Sequence, residues 1–162
     1  MISADIRIED RRWGADSDLE TLVAECLDAG QAEIDTIPDS AEIAILFTHD
    51  IAQRDLNKGY RGKDSSTNVL SFPAGETPLP PGMPRPLGDI SLAYETVAQE
   101  AKTGVIAFDA HLRHLILHGL LHLLGYDHEN DSEALIMEQT ETRALARLGI
   151  ADPYRPKQVL DV

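Results

Sequence analysis

The chain has 162 residues, a formal net charge of −14 and a single cysteine. Its length suits one domain with a core of its own, and the lone Cys26 excludes both an internal disulfide and a cysteine-built metal cluster. The acidic balance excludes loose, charge-driven binding to nucleic acid. The N-terminal stretch lacks an apolar signal region, and there is no apolar run of about 18 residues, so a cytoplasmic protein without a membrane partner is expected.

Residues Ile2 to Glu9 partly alternate and predict a first strand. Ser17 to Gly30 predicts a helix, opened by a capping box of Ser17 and Glu20 and closed by Gly30. Leu19, Leu22, Val23, Cys26 and Leu27 share one face of it, which makes Cys26 a core residue rather than a reactive thiol. Glu42 to Thr48 reads as a buried strand, followed by a short helix from Asp50 to Leu56 that ends before Gly59. The one dense basic stretch lies here and carries Arg54, Lys58, Arg61 and Lys63. Asn68 to Phe72 predicts a third strand, closed by Pro73.

The segment from Ala74 to Gly88 holds five of the nine prolines and is expected to be a loop. A fourth strand follows at Asp89 to Ala93, then a helix from Tyr94 to Lys102. A long helix is predicted from Asp109, as its cap, to Leu124, with Gly125 as its stop. Asn130 and Glu133 open a last helix, lined by Leu135, Ile136, Leu145 and Leu148 and ended at Gly149. The order β-α-β-α-β-β-α-α-α implies one α+β domain spanning residues 1–162, with a small mixed four-stranded sheet packed against helices.

The stretch HGLLHLLGYDH, from His118 to His128, places imidazoles among leucines. His118 and His122 stand four apart and share a helical face, where two neutral rings reach one zinc. Gly125 breaks the helix, and the turn through Tyr126 and Asp127 folds His128 back as a third ligand. A competing triad of His114, His118 and His122 would span roughly 12 Å along a straight helix, which is poor for tetrahedral coordination. His114 is then a pocket residue or a catalytic one. Asp127 is either a proton acceptor or, more in keeping with its place, a partner that orients a ligand imidazole. The pattern H-x-x-x-H-x-x-G-x-x-H matches the metzincin zinc motif except that Gly119 stands where a peptidase carries its glutamate base. Three protein ligands leave a fourth position open, as in catalytic zinc sites. Imidazole also suits other divalent transition metals.

Together with HGLLHLLGYDH, the blocks LNKGYRGKDSSTNVLSFP (Leu56 to Pro73) and LGDISL (Leu87 to Leu92) closely resemble the YbeY family of bacterial single-strand-specific endoribonucleases and rRNA maturation factors. The resemblance implies a zincin-like helix and a metal, expected to be Zn2+, held by His118, His122 and His128. It also implies a functional arginine at Arg61. The expected substrate is single-stranded RNA, in particular the 16S rRNA precursor at its 3′ end, with a role in ribosome quality control. The expected partners are small-subunit ribosomal components, with no DNA. The rivals are a metallopeptidase-like hydrolase, against which Gly119 argues, and a non-catalytic ribosome assembly factor with a structural metal.

Overall fold

The computed structural model describes residues 1–154. Four strands form one sheet: β1 (Ile2–Ile8), β2 (Ala41–Thr48), β3 (Val69–Pro73) and β4 (Arg85–Ala93), in the order β1-β2-β4-β3. The pairs β1–β2 and β2–β4 are parallel, and β3 runs antiparallel to β4. The described residues form five α-helices, α1 (Asp16–Glu33), α2 (Asp50–Arg61), α3 (Tyr94–Gly104), α4 (Phe108–Leu123) and α5 (Asp131–Arg147); the first four touch the sheet, and α5 packs on α1 and α4. The order of elements and the α+β class are those expected from the sequence. No helix among the described residues is long and apolar enough to cross a membrane.

Alternation in the strands decides which face is dry. The register aligns Ile6, Ile45 and Ile90 in one row and Ile8, Phe47 and Leu92 in the next. Against this face lie Leu19, Val23, Cys26 and Leu27 of α1 and Leu112, Ile116 and Leu120 of α4, in one buried cluster. Cys26 is fully buried, and its burial pushes the thiol up to about 12. The opposite face meets α2 through polar contacts. Gln53 Nε2 donates to the Ser91 carbonyl at 3.0 Å, and Ser91 Oγ donates to Gln53 Oε1 at 2.7 Å, so both buried side chains are satisfied.

Several boundaries differ from the sequence-based expectation. A 3₁₀ turn at Arg11–Trp13 delivers the chain into α1 at Asp16, with Ala15 as N-cap and no side-chain capping bond. Ser17 therefore lies inside the first turn, and the expected capping box does not form. α1 also runs through Gly30, because the missing side chain there serves packing. A Cβ at Gly30 would meet Leu120 Cδ2 at 3.0 Å and Leu117 Cδ2 at 3.3 Å. α2 continues past Gly59 to Arg61 and stops at Gly62, whose φ of 70° is the left-handed cap. β4 begins at Arg85, inside the proline-rich segment. Proline is tolerated at 86 because the β3 ladder has run out there: its last pair is Pro73 with Gly88, and beyond it Ala74 N donates to the Leu87 carbonyl at 3.0 Å.

At α4, Asp109 sits in the first turn and Ala107 is the N-cap, without a side-chain bond. Asn130 caps α5 as expected, its Oδ1 accepting from Glu133 N at 2.9 Å. Of the stripe expected on α5, Leu145 is buried and Leu148 packs against the core, but the first half differs. Leu135 and Ile136 are 55% and 57% exposed, whereas Met137, Thr140, Glu141, Ala144 and Leu145 face inward. On the outer side, Arg143 and Arg147 pair with Glu33 at the end of α1.

Candidate metal centre

α4 leans on the sheet through Gly119. A Cβ there would meet Ile90 Cδ1 at 3.0 Å and Ser71 Oγ at 3.2 Å, and Ser71 Oγ donates to the Gly119 carbonyl at 3.4 Å. The close approach of helix to sheet thus gives a packing reason for glycine at this position. It also places His118 and His122, one turn apart, over a cleft beside β3. Gly125, at φ 95°, ends the helix, with Gly125 N donating to the His122 carbonyl at 3.1 Å and Tyr126 N to the Leu121 carbonyl at 3.0 Å. The reversal carries His128 back over the helix end. Its backbone N–H donates to Asp127 Oδ1 at 2.7 Å, so Asp127 shapes the turn that presents His128.

One nitrogen from each of His118, His122 and His128 falls within 4.8 Å of the others. The ring centroids are 4.6 Å apart for His118 and His122, 5.1 Å for His122 and His128, and 5.8 Å for His118 and His128. His118 and His122 are half-buried and His128 is exposed.

Hydrogen bonding defines the tautomers of the two helical rings. His122 Nδ1 lies 3.0 Å from the Tyr126 carbonyl, which only accepts, so that nitrogen carries the proton. His118 Nδ1 lies 2.5 Å from Glu141 Oε1, and an ionised carboxylate also only accepts. Both Nε2 atoms therefore present lone pairs, and they face each other at 3.1 Å. Two lone pairs at that distance repel unless a cation lies against both. This donor set, neutral imidazole oriented from behind, fits a zinc-type ion. His122 is also biased toward the neutral form that ligates. Burial lowers its pKa, and the neighbouring His118 and His128 lower it further, against the Tyr126 carbonyl and Asp127.

Glu141 is the residue that sequence reasoning missed. Its side chain is fully buried on α5, and its two oxygens serve three partners. Oε1 takes His118, while Oε2 takes His114 Nε2 at 2.9 Å and the Tyr154 hydroxyl in a short bond. Burial pushes this carboxylate up, but the bonds from His114, His118 and Tyr154 outweigh it and hold the pKa at about 2. The signal was a charged residue four positions from Met137 and four from Leu145, inside the apolar stripe of α5. Reading the stripe through Leu135 and Ile136 hid it.

The remaining expected site residues line the same cleft, of about 730 Å³: Arg61, His114, Asp127 and the three clustered histidines. Arg61 ends α2 and is exposed. Its neighbour Arg54 is tied to Asp64 by two hydrogen bonds, of 2.6 and 3.0 Å, so that charge is answered within the protein. No carboxylate among the described residues pairs with Arg61. His111, on α4, is held by Glu100 at 2.9 Å, and Glu100 also accepts from Asn68 Nδ2 at 3.0 Å.

Residues 5–149 match the family model described as Endoribonuclease YbeY. A relative from Rhodopseudomonas palustris (strain BisA53), named endoribonuclease YbeY, is 47% identical over 151 residues, covering 92% of this chain and 88% of its own. One of the same name from Chelativorans sp. (strain BNC1) is 50% identical over 142 residues, covering 88% and 86%. The solution structure of TM1509 from Thermotoga maritima superposes with a TM-score of 0.61 at 25% identity, covering 91% of this chain and 89% of that one. With a cleft of clustered imidazoles on the matching fold, and relatives this close over nearly their whole length, the chain belongs to the endoribonuclease YbeY family, hydrolases acting on RNA.

Proposed function

We propose that this protein is a zinc-dependent, single-strand-specific endoribonuclease. On this reading it acts in the cytoplasm on the 3′ end of the 16S rRNA precursor, in maturation and quality control of the small ribosomal subunit. The whole chain, 1–162, serves as one catalytic domain. The observation that carries the reading is the convergence of the His118 and His122 Nε2 lone pairs at 3.1 Å, with His128 alongside.

His118, His122 and His128 would hold the ion. When bound, it supplies Lewis acidity toward a phosphodiester oxygen and lowers the pKa of a bound water toward about 7. The chain's own residues do the rest. Arg61, which lines the same cleft and pairs with no carboxylate among the described residues, grips non-bridging phosphate oxygens by charge-assisted hydrogen bonds. That gives a purpose to an arginine at the mouth of the cleft in a chain of net charge −14. His114 forms part of the cleft wall, its Nε2 committed to Glu141 and Tyr154. Asp127 holds the turn from which His128 reaches the site. Gly119 leaves no glutamate to serve as the base of a peptidase.

The test is incubation of small-subunit precursor RNA, and of matched single- and double-stranded oligonucleotides, with wild type, chelator-treated protein, His118→Ala and Arg61→Ala. Product ends are mapped and metal content is measured in parallel. Wild type should cut only single strands, and removing the metal should abolish cutting. Arg61→Ala should lose about 10²–10³-fold in rate, the scale for removing one donor to developing negative charge, with its metal retained. Cleavage that survives complete metal removal would overturn the proposal. A 2′,3′-cyclic phosphate end would identify the RNA's own 2′-hydroxyl, rather than water, as nucleophile.

A further inference from the structure

Helix α4 carries four histidines, at 111, 114, 118 and 122, all on or near one face. Spacing along the helix disfavours a His114–His118–His122 triad, but it does not orient the individual rings. We propose that Glu141, on a different helix, makes that choice: it is a positioning residue that presents His118 to the metal and withholds His114 from it. The assignment rests on the reading that His118, His122 and His128 hold the metal.

The two rings give up different nitrogens to the carboxylate. His118 meets the carboxylate through Nδ1, the atom nearer its own backbone, so the ring swings outward and Nε2 points to His122. His114 meets the same carboxylate through Nε2, the outer atom, which is the one a helical histidine extends toward a ligand. The Tyr154 hydroxyl sits against that same nitrogen at 3.1 Å and against Glu141 Oε2, which closes the third contact. The His114 and His118 rings stand almost perpendicular, at 85°, with centroids 6.4 Å apart. One carboxylate thus uses opposite ends of two neighbouring imidazoles.

The placement is costly enough to require a purpose. A fully buried carboxylate loses its hydration, a cost offset only by the donors His114, His118 and Tyr154 set against its two oxygens. The stripe of α5 around it is otherwise filled by Met137, Thr140, Ala144 and Leu145. Carboxylate partners that orient ligand imidazoles typically carry 10–100-fold in metal affinity. Removing Glu141 leaves His114, His118 and Tyr154 without their acceptor and lowers stability, so the readouts that identify a positioning role are zinc affinity per folded molecule and the His118 tautomer.

The experiment uses the full chain as wild type, Glu141→Gln, Glu141→Leu and Tyr154→Phe. Zinc affinity is measured by competition with a chromophoric chelator, metal-free stability by thermal melting, and the imidazole tautomers of the metal-free protein by ¹⁵N NMR. Wild type should show His118 protonated at Nδ1. Glu141→Leu should lose that preference and bind zinc about 10–100-fold more weakly per folded molecule, at temperatures below its lowered metal-free melting point. Glu141→Gln keeps an acceptor without the charge, so its loss should be smaller, and it carries the test if the leucine variant does not fold. Tyr154→Phe leaves the His118 contact in place and should lose least. Wild-type affinity in both Glu141 variants, or an affinity loss matched by their unfolded fraction, would overturn the assignment while leaving the metal site intact. A wild type that binds no zinc at all would overturn the metal reading, and this assignment with it.

Discussion

The two ends of α4 solve the same problem in opposite ways. At its start, Phe108 joins Trp13, Phe47 and Tyr94, with the Trp13 ring 5.2 Å from Phe47, 5.2 Å from Tyr94 and 5.7 Å from Phe108. The only polar atom of the Trp13 side chain, Nε1, donates to the Thr48 carbonyl at 2.7 Å, and Arg12 lies over the Tyr94 ring at 4.8 Å. That cluster is closed: its shape is filled and its donor is answered. At the other end, His118 and His122 are answered from behind by Glu141 and the Tyr126 carbonyl, but their front lone pairs point at one another. The first arrangement is complete by itself, whereas the second leaves two nitrogens that could hold a metal ion. What separates structure from function along this one helix is whether the polar atoms are satisfied within the chain.

The sharpest way to break the contrast is a pair of variants. Trp13→Ala should cost about 3–5 kcal/mol of stability, as expected for emptying a buried aromatic site, yet bind zinc with wild-type stoichiometry at temperatures where it is folded. His122→Ala should do the reverse, losing zinc while its metal-free melting temperature moves far less. Denaturant unfolding and metal analysis on both proteins check this. If zinc binding falls with Trp13→Ala in the folded state, or stability collapses with His122→Ala, the division between the two ends of α4 does not hold.

A smaller effect sharpens the account of how the metal end is placed. Gly119→Ala puts a methyl group 3.0 Å from Ile90 Cδ1 and 3.2 Å from Ser71 Oγ. Overpacking of that kind typically costs about 1–3 kcal/mol, and relieving it means lifting α4 off the sheet near His118. Zinc affinity should weaken along with stability, which isothermal titration on the folded variant measures. Unchanged stability would show that α4 has more room than its contact with β3 and β4 implies.

Much of this was legible in the residues. The order of elements followed from period and punctuation, and the cap at Asn130 and the stops at Gly125 and Gly149 lay where expected. The features that escaped are those set by tertiary contact. Gly30 looked like a helix end because its packing partners, Leu117 and Leu120, are far away in sequence. β4 starts early because Pro86 lies where β3 no longer pairs, a fact of register that no local pattern carries. Glu141 escaped for the same reason. Asp127 is adjacent to His128 and was the natural choice for a carboxylate that orients a ligand ring, but its bond goes to a backbone N–H, and the carboxylate against a ligand imidazole comes from the next helix.

The most direct test of the central claim is X-ray absorption spectroscopy of the zinc-loaded full chain, together with His128→Ala. The account predicts one zinc per chain with three imidazole nitrogens at about 2.0–2.1 Å and a fourth light donor that azide or phosphate displaces. His128→Ala should show two imidazoles. A shell closed by four protein donors, or imidazole scattering unchanged by His128→Ala, would contradict it.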